Sequence, residues 1–135
     1  MFLNQLNQDE KELFLELAAN AVMANGVFEQ EEMETVARLC YEMMVPNHLP
    51  DTEKPLDKIL DEINEIATAQ EKNMILFELI MLLRADEEAD TKELNLTGYV
   101  AYKLDITDDK SNHLHSLARI RQMLNSEITS LICQD

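Results

Sequence analysis

The sequence predicts an all-α fold: a single-domain bundle of about six to seven helices built from two pseudo-repeated helical hairpins. Three observations carry this. Apolar residues recur at helical spacing along nearly the whole chain. Two glycines and three prolines in 135 residues are too few for the tight turns of a β-sandwich. One stretch of sequence returns in register 61 residues later. Apolar residues make up 46% of the chain, enough for a packed core rather than a disordered chain. The length suits one domain, 1–135.

The first helix follows the capping box Asn7-Gln8-Asp9-Glu10, in which side chains satisfy the free amides of the first turn. Its stripe is Leu13, Leu17, Ala21 and Ala24, widened by Phe14, Ala18 and Val22, and Gly26 ends it. A second helix begins near Glu29, with Met33, Val36, Ala37, Cys40, Met43 and Met44 on its stripe, and Pro46 stops it. Residues 46 to 55 hold all three prolines and read as a loop. Pro55 suits the first turn of a third helix, whose apolar positions are Leu56, Ile59, Leu60, Ile63, Ile66 and Ala67.

Thr68-Ala69-Gln70-Glu71 is another capping box. The helix after it is apolar nearly all round, from Met74 to Leu83, with Glu78 as the exception. Such a helix belongs at the centre of a bundle, and Glu78 must reach the rim or find a partner. A fifth helix starts at Asp90-Thr91-Lys92-Glu93 and carries Leu94, Thr97, Gly98, Ala101 and Leu104. Thr107 caps the last segment, about 108–133. Its stripe is Leu114, Leu117, Arg121, Leu124, Ile128 and Leu131, on one helix or on two with a break near Ser126.

The repeat aligns Ala24-Asn25-Gly26-Val27-Phe28-Glu29-Gln30-Glu31-Glu32-Met33 with Ala85-Asp86-Glu87-Glu88-Ala89-Asp90-Thr91-Lys92-Glu93-Leu94. Met33 pairs with Leu94, Ala37 with Gly98, Cys40 with Ala101 and Met43 with Leu104. The halves span about 8–45 and 69–105. One helical hairpin cannot bury its stripe alone, whereas two can bury theirs against each other. The small residues Ala37 and Gly98 predict close helix approach.

The twice-repeated pattern resembles the tellurite-resistance protein B (TerB-like) family. There an apolar helix ends in Ala and is followed by Asp-Gly, a spacer, a cap and a Glu seven residues after the Asp. Here the copies read Ala24-Asn25-Gly26…Glu29…Glu32 and Ala85-Asp86-Glu87…Asp90…Glu93. Asn25 stands where Asp is usual, and Glu87 replaces Gly. The resemblance spans about residues 8 to 105. It implies a helical bundle without catalytic activity, an interaction module in a bacterial stress response, and an acidic metal site.

The chemistry of the acidic loops has two readings. Asn25, Glu29, Glu32, Asp86, Asp90 and Glu93 offer hard oxygen ligands of the kind Ca²⁺ and Mg²⁺ take. The same acids can simply cap helices and complement the helix dipole. The second loop fails as an EF-hand, because Thr91 replaces the turn glycine and Thr97 the bidentate Glu.

No nucleophile–base arrangement or phosphate loop is visible, so the chain reads as a non-enzyme. His113 and His115 lie two apart on a helix and cannot chelate one ion together. Cys40 falls on a core stripe. Met33, Met43, Met74 and Met81 read as core fillers, with a Met43-Met44 edge beside Tyr41 and Val45 as the alternative. The formal net charge of −16 argues against nucleic acid and anionic membranes as partners. Between Lys110 and Ser126 there are no acids, while Lys110, Arg119 and Arg121 are present. This stretch either complements acidic neighbours in the bundle or forms a docking face for a protein partner or a second copy. Two cysteines and no apolar run of membrane length suit a cytoplasmic protein.

Overall fold

The computed structural model describes residues 2–23, 29–84 and 91–134. Among them are six α-helices, a short 3-10 turn at Leu3–Gln5, and no strand. The helices are α1 (Gln8–Val22), α2 (Gln30–Met43), α3 (Leu56–Ile66), α4 (Ala69–Leu83), α5 (Thr91–Lys103) and α6 (Asp108–Ile132). α1 packs on α2, α3 and α4, while α4 packs on α5 and α6. The last segment is one helix with no break at Ser126.

The caps form where local chemistry places them. The Asn7 side chain accepts from the Glu10 amide at 2.9 Å, and Glu10 Oε1 accepts from the Asn7 amide at 3.0 Å. Thr68 and Glu71 make the same reciprocal pair at 3.1 and 2.8 Å. Thr107 accepts from the Lys110 amide.

A 61-residue spacing relates α1 to α4 and the start of α2 to that of α5. α1 and α4 each have 15 residues, starting at Gln8 and Ala69 behind equivalent capping boxes. α2 and α5 end alike. Val45 N–H donates to the Cys40 carbonyl, and Ile106 N–H to that of Ala101. Met44 and Asp105, the matching residues, both take the left-handed conformation, at φ 61° and 59°. This is the Schellman way of closing a helix. The buried positions Val36, Leu39, Cys40 and Met43 correspond to Thr97, Val100, Ala101 and Leu104.

The core differs from the sequence reading in several places. α1 is the more enclosed helix: Leu13 to Ala19 are buried without interruption, because α2, α3 and α4 surround it. In α4, Ile75, Leu76, Leu79 and Ile80 are buried, but Met74, Phe77, Met81, Leu82 and Leu83 are partly covered. Met33 and Leu94 are exposed rather than core residues. No helix approaches Gly98 closely, since a Cβ there would meet nothing within 4 Å.

Burying α1 all round also buries Glu16. Lys54, from the proline-containing segment, reaches it at 2.8 Å and reaches Glu62 of α3 at 2.7 Å. A buried carboxylate demands such a partner. Glu78 is met by the Phe2 amide at 3.2 Å.

Candidate functional site

The last turns of α1 and α4 and the first turns of α2 and α5 surround an open cleft of about 530 Å³. Its walls pair residues 61 apart: Ala21 with Leu82, Val22 with Leu83, Glu31 with Lys92, and Glu32 with Glu93. Glu29, Thr35 and Arg38 also line it. The acids gather here because two helix N-termini open onto the cleft, where negative charge suits the helix dipole. Glu29 stands at the N-cap of α2, yet its side chain makes no capping hydrogen bond.

Of the six acidic-loop residues, Glu29, Glu32 and Glu93 therefore share one cleft. Asn25, Asp86 and Asp90 lie outside the described residues. The oxygen donors present suit a hard cation, but Arg38 and Lys92 occupy the same space. Among the described residues, no three carboxylate, histidine or cysteine side chains come close enough to hold a metal ion.

No family model, curated protein or solved structure matches the chain. The site therefore has to be read from its own chemistry.

At the opposite end of α1 and α4, Glu10 and Glu71 meet. Glu10 is 1% exposed. Burial pushes its carboxyl above the usual range, the Asn7 amide opposes this, and the Glu71 carboxyl raises it further. Glu71 is held below its ordinary value by the Thr68 amide and by its hydrogen bond with Glu10. The two neighbouring carboxyl groups are thus shifted in opposite directions.

The histidines sit apart. His48 contacts the Pro46 carbonyl at 2.8 Å and Glu12 at 2.6 Å, which together raise its pKa. His115 is half-buried, lies 3.2 Å from the Thr97 hydroxyl, and is lowered by burial and by Arg84. His113 is exposed. Cys40 is buried and Cys133 exposed. Met43 is a core residue, whereas Tyr41 and Met44 are exposed.

α6 is anchored by few of its residues. Ser111 and Ala118 are its buried residues, and Leu114 packs partly against the core. Its apolar stripe faces elsewhere. Leu117, Ile120, Leu124, Ile128 and Leu131 are 44% to 71% exposed. At Leu117 this stripe adjoins an open groove of about 310 Å³ between α4 and α6, lined also by Phe2, Met74, Phe77 and Leu114. Single exposed apolar residues are ordinary, but a continuous row of them marks an interaction surface. Sequence spacing located Leu117, Leu124, Ile128 and Leu131 on one stripe but left open what covers it.

Proposed function

We propose that this chain is a non-enzymatic, TerB-like helical interaction module, and that the exposed apolar face of α6 is its docking surface. The observation that carries this reading is the row from Leu117 to Leu131, left uncovered on a helix whose other face is anchored in the bundle. The repeated caps, helix bounds and buried positions support a body of two hairpins related by a pseudo-twofold axis between α1 and α4. The test is a photo-crosslinking residue placed at Leu124 in cells, with the same residue at exposed Lys58 as control. Specific protein adducts at position 124 are expected. Equal, background-level capture at both positions would overturn the reading.

A second reading, a divalent-cation-binding regulator, is favoured by one observation: Glu29, Glu32 and Glu93 line one cleft. A cation there would stabilise the fold by mass action. Ca²⁺ or Mg²⁺ should then raise Tm more than an ionic-strength-matched monovalent salt, and Glu32→Gln with Glu93→Gln should remove the difference. Equal shifts in both salts would leave charge at the helix ends as the whole explanation of these acids.

A further inference from the structure

The α6 stripe has a symmetry of its own. Leu117 and Ile120 lie seven and four residues before Leu124, and Ile128 and Leu131 lie four and seven after it. At 3.6 residues per turn these five side chains fall within an arc of about 80°. Ser111, Leu114 and Ala118, which touch the bundle, lie on a different side of the helix. The apolar row therefore reads the same from either end.

We propose that α6 pairs with α6 of a second copy of this chain, antiparallel, with Leu124 on the twofold axis. The inference rests on the reading that this face docks a protein, and it names the occupant. In that register Leu117 meets the partner's Leu131, Ile120 meets the partner's Ile128, and Leu124 meets its own copy. The overlap spans about 21 Å of helix. An isologous contact of this kind closes on itself and needs one patch.

Charge selects the antiparallel direction. From Lys110 to Ser126 the helix carries bases and no acid, and its acid within the described residues beyond that point is Glu127. Antiparallel pairing sets Arg121 level with the partner's Glu127. Parallel pairing would set Arg119 and Arg121 level with their own copies, and would bring two strongly acidic bundles together at one end. Antiparallel pairing sends the bundles to opposite ends. It also brings the partner's Leu131 and Ile132 to the mouth of the apolar groove beside Leu117.

The test uses the purified full chain. Sedimentation or light scattering from low micromolar to submillimolar concentration should find twice the chain's mass. Leu124→Glu, which places two carboxylates on the axis, should halve that mass while keeping a cooperative helical fold, with a Tm that no longer depends on concentration. In a Cys133→Ser background, Leu117→Cys and Leu131→Cys chains should crosslink when mixed, and neither should crosslink alone. A monomer throughout, or Leu117→Cys chains that crosslink to themselves, would overturn the pairing. A monomeric chain whose position 124 still captures another protein in cells would overturn self-pairing and leave the interaction reading intact.

Discussion

Glu10 and Glu71 occupy the same position in two helices 61 residues apart, and their carboxyl groups are close enough that Glu71 raises the pKa of Glu10 while Glu10 lowers that of Glu71. At the other end of α1 and α4, Glu32 and Glu93, also 61 apart, line one cleft. Matching residues thus meet at both ends, so α1 and α4 run side by side in the same direction. The acidic pair and the acidic cleft lie on one line through the molecule.

The acid pair gives a pH dependence of defined sign. Glu10 is raised, so its contribution is fully present below the unfolded carboxylate value and is lost as pH climbs through its folded pKa. Glu71 is lowered, so its contribution is present above the unfolded value and is lost as pH falls through its folded pKa. Glu10→Gln retains an oxygen for the Asn7 amide and supplies a permanent N–H for Glu71. The variant should be more stable than the parent at pH 7, with the advantage vanishing below about pH 4. Urea melts at both pH values check this. A constant difference would show that burial does not raise the Glu10 carboxyl.

The two partnered histidines should pull in opposite directions. His48 is raised by the Pro46 carbonyl and then by Glu12, so its stabilisation is present in acid and fades as pH rises through its folded pKa. His115 is lowered by burial and Arg84, so stability is lost as pH falls below about 6.5. The deficit of His48→Gln relative to the parent should shrink from pH 5.5 to 8. The deficit of His115→Gln should grow over the same range. Parallel trends would contradict the assigned surroundings.

Lys54 should matter more than a surface lysine. Glu16 is buried, and Lys54 Nζ lies 2.8 Å from it. Lys54→Ala leaves a carboxylate in the interior without its cation and should cost about 3 kcal/mol. Adding Glu16→Gln removes the stranded charge and should recover much of the loss. A cost below about 1 kcal/mol for Lys54→Ala, the usual worth of an exposed pair, would place the bridge in solvent.

Gly98 sits in the interior of α5 with open space where a Cβ would go. Gly98→Ala should therefore stabilise the chain by about 0.5–1 kcal/mol through helix propensity. Destabilisation of that size in a denaturant melt would mean that a neighbour approaches Gly98 after all.

The parts of this fold that were legible in the sequence are the parts decided locally. Asn7, Thr68 and Thr107 cap the helices expected of them, because a cap needs one side chain and a free amide three residues on. The residues misread share a different cause. Met33 and Leu94 have faultless helical spacing, but periodicity reports that a face is apolar and not what covers it, which is also why it left the row from Leu117 to Leu131 undecided. Glu16 and Lys54 are 38 residues apart, and nothing in local spacing joins them. The cleft was half legible. The repeat related Glu32 to Glu93, while the side-by-side packing of α1 and α4 brought them together.

The 25 residues of α6 make a rod of about 37 Å that is held along one half. From Met123 onward its described side chains are exposed. A free helix of so few residues is marginal in water, because starting a first turn costs more than extending an existing one. The docked turns around Ser111 and Ala118 act as the nucleus, and the outer turns propagate from them. The overhanging half is thus a cantilever whose order is borrowed from the bundle. Loosening the anchor at Ala118 would melt the apolar row without altering a residue in it.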